Sequence, residues 1–176
     1  MLEWAKIIAR LAYDRPTRCR LVGLRPVVLC VLQSLEKEHF LFISPTSKPA
    51  AWMPPQEGIE PNESIEKAAI RGIGAELGIT ENQLHFRRSV WLGARQIPEQ
   101  KGERDVAYSL MKMRGKAYYA SLIKLSSQTV VVPNIAEIAN HEWLDLEGIT
   151  SRLKTNSERK QQLIRAAFEK LLSKKL

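Results

Sequence analysis

The sequence lacks an apolar run long enough to span a membrane, and its first twelve residues are interrupted by Glu3, Lys6 and Arg10. A membrane-spanning helix needs about 20 consecutive apolar residues, so we expect neither a membrane span nor a signal peptide. The only cysteines are Cys19 and Cys30, and Cys30 stands in an apolar run, where a buried free thiol is favoured over a disulfide. These deficits predict a cytoplasmic protein without disulfide bonds.

Repeats and low-complexity segments are also absent, and His39, His85 and His141 do not have metal-ligand spacing. A chain of 176 residues, 44% apolar and 26% charged, suits one globular domain with a proper core. Acidic residues are scarce, 19 Asp and Glu against 27 Lys and Arg, which gives a net charge of +8. This balance favours an anionic partner such as RNA or a nucleotide, although a merely solvated basic surface has the same composition.

Apolar periodicity predicts strands and helices that alternate along the chain. Residues 2–12 have helical spacing, and we interpret residues 1–20 as an N-terminal helical extension. Strands are predicted at residues 27–33, 40–44, 86–93, 116–125 and 129–132, the first two as a central hairpin.

The C-terminal part is predicted to close the domain with a helix at residues 157–173, preceded by a capping-box pattern from Thr155 to Glu158. Tyr118 and Tyr119 stand in a predicted strand. Such residues can stack a nucleic-acid base, but we favour half-buried strand aromatics.

The most informative stretch, residues 52–79, reads WMPPQEGIEPNESIEKAAIRGIGAELGI. A loop with Pro and Gly precedes an amphipathic helix, whose apolar stripe includes Ala68 and Ile73 and whose N-cap is Asn62 or Ser64. This order directs backbone N–H groups and the positive end of the helix dipole at one point, which favours phosphate binding.

The stretch resembles the Nudix box, the signature of hydrolases that cleave nucleoside diphosphates linked to another moiety. The matching residues are Glu63, Arg71, Ile73, Glu76, Gly78 and Ile79, and the flanks similar to RNA pyrophosphohydrolases are Trp52, Pro55, Gln56, Gly58, Ile59, Pro61 and Ser64. Three positions depart from the box. Glu57 replaces its opening Gly, Gly72 replaces the Glu after the Arg, and Ala75 replaces the first of the paired Glu residues.

The resemblance implies an α/β Nudix fold, in which a mixed β-sheet lies between helices. It extends over nearly the whole chain, so we expect residues 1–176 to form a single Nudix domain. The alternation of strand and helix patterns agrees with this architecture.

The resemblance also implies a metal site. Carboxylates at positions 72, 75 and 76 would share one helical face, where their oxygens can bind Mg²⁺ or Mn²⁺. By resemblance, the catalytic residues are Glu76, Glu137 and Arg71, and the metal ligands are Glu76, Glu63 and Glu137, where Glu137 precedes Trp143 by six residues as in the RNA pyrophosphohydrolase group. Because only one of the three box carboxylates is present, we expect weak or lost catalysis. The residues that can replace a missing ligand are Glu57, Glu60, Glu66 and Glu142.

Phosphate contacts are expected from Gly58 and from the basic residues Arg95, Arg104 and Lys116 of a long polar segment at residues 95–116. Two functions follow from these expectations. The first is an Mg²⁺-dependent, MutT-like pyrophosphohydrolase that acts on nucleoside diphosphate derivatives or 5′-triphosphorylated RNA. The alternative is a non-enzymatic Nudix module that binds a nucleotide, RNA or a protein, because a fold does not fix a function.

Overall fold

The computed structural model describes residues 16–21, 23–96, 115–173 and 176. The predicted helix at residues 2–12 and most of the polar segment, including Arg104, lie outside this part of the chain. Among the helices that the structure describes, none is both long and apolar enough to cross a membrane.

The described residues form helices and strands that alternate along the chain. The α-helices are α1 (Pro16–Leu21), α2 (Ile65–Leu77), α3 (Leu146–Leu153) and α4 (Glu158–Leu172), and a short 3₁₀ helix lies at Glu81–Gln83. The strands are β1 (Leu24–Ser34), β2 (Phe40–Pro45), β3 (Gln56–Gly58), β4 (His85–Gln96), β5 (Gly115–Leu125) and β6 (Ile138–Leu144).

The strands form one mixed sheet in the order β4-β5-β1-β2-β6, and β3 pairs with β1 beside this path. The β1–β5 pair is parallel, whereas β1–β2, β1–β3, β2–β6 and β4–β5 are antiparallel. The predicted hairpin is confirmed, because Leu32 of β1 pairs with Leu41 of β2. The mixed α/β sheet expected from the sequence is therefore present.

Helices cover both faces of the sheet. Phe168 of α4 packs against Phe40, with ring centroids 4.9 Å apart, and Phe40 pairs with Gln33 of β1. Cys30 of β1 instead lies in the field of Glu76 of α2. Since side chains alternate between the faces of a strand, α2 and α4 lie on opposite faces. This explains why β1 is buried along nearly its whole length.

The predicted strand at residues 129–132 is wrong. Val130 and Val132 are 73% and 63% exposed, and the Val132 N–H donates to the Leu77 carbonyl at the end of α2, at 2.9 Å. The next residue, Pro133, has no N–H to donate to a neighbouring strand. The β-branched composition predicted a strand, but contact with the end of α2 determines the conformation of this segment.

Two local predictions at other sites are also wrong. Helix α4 has Ser157 as its N-cap, and the Thr155 hydroxyl donates to the Arg152 carbonyl instead of forming a capping box. Arg95, expected in a loop, instead pairs with Lys116 of β5, because β4 extends beyond its predicted end at residue 93.

The contact of α4 with the sheet generates a stability prediction. Phe168 is fully buried against Phe40 and Phe42, so Phe168→Ala should leave a cavity and lower the free energy of unfolding by about 3–5 kcal/mol. Glu169→Ala, at an exposed neighbour in the same helix, should change it by less than about 0.5 kcal/mol. Urea denaturation of both variants measures this, and equal stability of the two would contradict the described packing.

Candidate active site

The site is built where β3 and the following loop meet the N-terminus of α2. Ser64 is the N-cap of this helix, and its hydroxyl accepts a hydrogen bond from the Lys67 N–H at 3.1 Å. Asn62, the other predicted cap, instead has a φ of 63° and turns the chain into the helix. Of the two candidates, Ser64 is therefore confirmed as the cap.

Arg71 ties this loop to the body of α2. Its Nε and Nη2 donate to the two oxygens of Glu63 at 3.0 and 2.9 Å, and Nη2 also donates to the Gly58 carbonyl at 2.7 Å. Its Nη1 lies 3.3 Å from Glu57 Oε2, and its Nη2 lies 4.0 Å from Glu60 Oε1. The guanidinium thus holds residues of β3 and of the loop against one helix position.

Glu63 is held by these contacts. The hydrogen bonds from Arg71 lower the pKa of Glu63, and Glu63 Oε2 also accepts from the Glu60 N–H at 2.8 Å. The same pairing raises the pKa of Arg71. Because both oxygens are bound within the protein, the arrangement favours a positioning role for Glu63.

The other end of α2 is joined to the segment that carries Glu137. The Asn134 N–H donates to the Glu76 carbonyl at 2.8 Å, and Asn134 Nδ2 donates to Glu137 Oε1 at 3.1 Å. Gly78 ends the helix with a φ of 65°, and a Cβ there would lie 3.1 Å from the Val132 carbonyl oxygen. The last carbonyls of the helix are thus satisfied by this segment, which brings Glu137 close to Glu76.

Glu76 is a carboxylate of the site whose surroundings disfavour its charged form. Burial, together with the negative charges of Glu57 and Glu137, raises the pKa of Glu76 to about 7. Its Oε2 is buried and has no hydrogen-bond partner within the described chain. Buried carboxylate oxygens without a partner are costly, so this atom is suited to a cation.

Glu57 is the replacement candidate whose charge acts on Glu76. The other candidates are placed differently: Glu142 Oε2 is 2.7 Å from Arg152 Nη2, and Glu66 is exposed on the first turn of α2. Ala75 is exposed as well. The structure therefore brings Glu57, Glu76 and Glu137 into one neighbourhood.

The donor set fits a hard divalent cation. Within the described ranges, no group of three or more His, Cys, Asp or Glu side chains is arranged to hold a metal ion by itself. Mg²⁺ does not require such a cage, because it commonly takes one or two carboxylates and completes its shell with water and substrate phosphate. The unpartnered oxygen of Glu76, beside two further carboxylates, suits this mode of binding.

A second group of charges is basic. Lys160 of α4 donates through Nζ to Met53 Sδ at 2.8 Å, and its pKa is lowered to about 8 by burial and by the positive charges of Lys48 and Lys116. Lys116 was an expected phosphate contact, whereas Lys48 and Lys160 were missed. Lys160 reaches Met53 across 107 positions of sequence, so only the packing of α4 reveals the lysine cluster of Lys48, Lys116 and Lys160.

Gly58 and Arg95, the other predicted phosphate contacts in the described part of the chain, have structural partners. The Gly58 N–H donates to Glu57 Oε1 at 2.6 Å, and a Cβ on Gly58 would lie 2.9 Å from Arg25 Nη2. Arg95 Nη1 donates to the Arg159 carbonyl at 2.9 Å. These contacts favour structural roles for Gly58 and Arg95.

Comparison with models of protein families identifies one family. A family model described as NUDIX domain matches residues 23–167. No curated protein sequence matches the chain.

Solved structures resemble the fold over most of the chain. A C. elegans Ap4A hydrolase in a binary complex has a TM-score of 0.59 at 23% identity, covering 85% of this chain and 98% of its own. The E. coli dihydroneopterin triphosphate pyrophosphohydrolase gives 0.60 at 18% identity, covering 92% and 97%. A MutT protein from Methanosarcina mazei Go1 gives 0.54 at 16% identity, covering 85% and 96%. At these identities the similarity shows a shared fold.

The raised pKa of Glu76 generates a prediction about stability and pH. The folded protein binds the Glu76 proton more tightly than the unfolded chain does, so the free energy of unfolding should fall as the pH rises from about 4.5 to about 7. Glu76→Gln is uncharged throughout and should be more stable than the native protein at pH 8, by on the order of 2 kcal/mol after a discount for solvent exposure.

Urea denaturation at pH 4.5 and pH 8, without divalent cations, measures this difference. Glu66→Gln removes an exposed carboxylate from the same helix and should keep the pH dependence of the native protein. A Glu76→Gln variant that is equally or less stable than the native protein at pH 8 would contradict the electrostatic description of the site.

Proposed function

This chain belongs to the NUDIX domain family, and on that premise we propose that it hydrolyses a pyrophosphate bond with the aid of Mg²⁺ or Mn²⁺. The Glu76 carboxylate carries the proposal. It is half-buried beside Glu57 and Glu137, and one of its oxygens has no partner within the described chain. Such a group is unfavourable for folding and useful for holding a cation.

Each residue of the site has a role in this proposal. Glu76 and Glu137 hold the cation, and Arg71 and Glu63 fix the β3–α2 loop so that these carboxylates keep their positions. When bound, the cation neutralises charge on the pyrophosphate and favours the ionised form of a nearby water. Hydrolysis breaks one P–O bond of the pyrophosphate and forms one to water. The alternative role that we propose for Glu137, which is exposed, is to accept the proton of that water instead of holding the cation.

We propose that catalysis is weak. Gly72 and Ala75 stand at two of the three positions where the box places carboxylates, and Ala75 is exposed with no replacement beside it in α2. Fewer carboxylates weaken both the binding of the cation and the stabilisation of charge in the transition state.

The proposed substrates are nucleoside diphosphate derivatives and 5′-triphosphorylated RNA. The flanking residues from Trp52 to Ser64 resemble the RNA pyrophosphohydrolase group. The lysine cluster supports an anionic substrate, because Lys48 and Lys116 both repel the charge of Lys160 and a bound phosphate would offset this repulsion.

The lysine cluster also supports a second candidate function. A module that binds a nucleotide or RNA without hydrolysing it needs only this positive charge, and the cluster does not depend on the carboxylates of the box. The two candidate functions predict different results for the substitution of a site carboxylate: it should reduce product release by a hydrolase, whereas a binding module releases no product in either form.

A hydrolysis assay tests the enzymatic proposal. We expect the native protein to release phosphate or pyrophosphate from a panel of nucleotides and 5′-triphosphorylated RNA when Mg²⁺ or Mn²⁺ is present. Glu76→Gln should reduce the rate by about 100-fold or more, because charge stabilisation at such sites is worth that much. Glu66→Gln should match the native rate. Absence of release, together with retained RNA or nucleotide binding, would support the binding module instead.

The lysine cluster generates a binding prediction. Lys160→Met should weaken binding of 5′-triphosphorylated RNA and lower the salt dependence of the affinity by about one counterion. Lys154→Met makes the same charge change at an exposed position of the turn after α3 and should have a smaller effect. Because the pKa of Lys160 is lowered to about 8, the difference between native protein and Lys160→Met should shrink as the pH rises from 7 to 9. Equal effects of both variants at pH 7 would contradict a role for the cluster.

A further inference from the structure

Two of the three residues that depart from the box lie against each other, and the larger one fills the space left by the smaller one. Glu57 stands where the box has Gly, and Gly72 stands where it has Glu. A Cβ added to Gly72 would lie 2.6 Å from Glu57 Cβ, 2.8 Å from its Cγ and 3.2 Å from its Oε2. Real Cβ atoms essentially never lie within 3.0 Å of an atom of a residue that is not a chain neighbour. Glu57 therefore occupies the volume that a side chain at position 72 would need.

We propose that Glu57 supplies from β3 the carboxylate that the box supplies from α2 at position 72, so that Glu57 and Glu76 together bind the divalent cation. This inference rests on the proposed function for the presence of a cation. It adds a ligand that the box does not contain. The carboxylate is retained, and only the element that carries it has changed.

The direction of the Glu57 side chain supports the exchange. Glu57 pairs with Val28 of β1 and shares a sheet face with Cys30, which lies in the fields of both Glu57 and Glu76. Since neighbouring residues of a strand point to opposite faces, this register directs Glu57 toward α2. A shift of one residue would turn it away from the helix.

The Glu57 carboxylate is also oriented by the protein. Its Oε1 accepts from the Gly58 N–H at 2.6 Å, and its Oε2 lies 3.3 Å from Arg71 Nη1. A carboxylate has about four lone-pair sites, so these two contacts leave capacity for a cation. Two fixed contacts define the direction of the remaining lone pairs, as is common for metal-binding carboxylates.

Gly74, in the same helix, has room for a side chain, so the lack of space for a Cβ is a property of position 72 and not of every glycine in α2. A Cβ added to Gly74 would meet only the Ile79 carbonyl oxygen, at an ordinary 3.6 Å. Gly74 is exposed, whereas Gly72 is buried. Only Gly72 makes room for a neighbouring carboxylate, so Gly74→Ala is a matched control for any substitution at position 72.

To test the exchange, the full chain is titrated with Mn²⁺, and the electron paramagnetic resonance signal of free Mn²⁺ measures how much of the ion remains unbound. Glu57→Gln retains the side-chain shape and should weaken Mn²⁺ binding by about 10- to 100-fold, while Gly74→Ala should bind as the native protein does. Gly72→Glu alone should lower the urea denaturation midpoint because of the clash with Glu57. The exchanged variant with Glu57→Gly and Gly72→Glu should recover the urea midpoint of the native protein and should bind Mn²⁺ more tightly than Glu57→Gly alone.

Several outcomes would overturn the inference. One is native Mn²⁺ affinity in Glu57→Gln. Another is an exchanged variant that folds but binds Mn²⁺ no better than Glu57→Gly alone. If the exchanged variant does not fold, the Glu57→Gln titration decides the matter by itself. Loss of Mn²⁺ binding in Glu76→Gln but not in Glu57→Gln would leave the proposed function intact, whereas Glu57-dependent binding without hydrolysis would retain the inference and refute the enzyme.

Discussion

The ion-pair network of Arg71 is the interaction on which the site depends. One guanidinium binds both oxygens of Glu63 and the carbonyl of Gly58 and lies beside Glu57. It therefore holds the short strand β3 and the loop after it against α2. A three-residue strand that pairs with β1 is thereby also joined to the helix. Charge-assisted, bidentate hydrogen bonds of this kind combine strength with defined geometry.

The carboxylates of the site differ in how well the protein stabilises their negative charge, and the proposed chemistry depends on this difference. Glu63 is satisfied by Arg71, whereas Glu76 is half-buried, lies near two other carboxylates and has an oxygen without a partner in the described chain. The loop before α2 thus has a carboxylate that fixes its position, and α2 itself has, near its end, a carboxylate with a raised pKa. Groups whose pKa is shifted by burial and like charges concentrate at functional sites, and the proposed divalent cation would offset the repulsion among these carboxylates.

Local patterns predicted those parts of the fold whose conformation is determined locally. The hairpin of β1 and β2, the Ser64 cap and the apolar stripe of α2 follow from alternation, capping chemistry and helical spacing. Contacts between distant segments decided the rest. Val132 was assigned to a strand by composition, but it binds the end of α2, and Lys160 reaches Met53 only because α4 crosses the sheet.

For the missing ligand, the sequence left four glutamates open, and the contact between Glu57 and Gly72 distinguishes one of them. The most direct measurement is a crystal structure of the native protein with Mn²⁺, in which anomalous scattering locates the cation. The account predicts an anomalous peak about 2.0–2.6 Å from oxygens of both Glu57 and Glu76, the range of hard-cation ligands. A peak bound by Glu76 without Glu57, a peak distant from both, or no peak at saturating Mn²⁺ would contradict it.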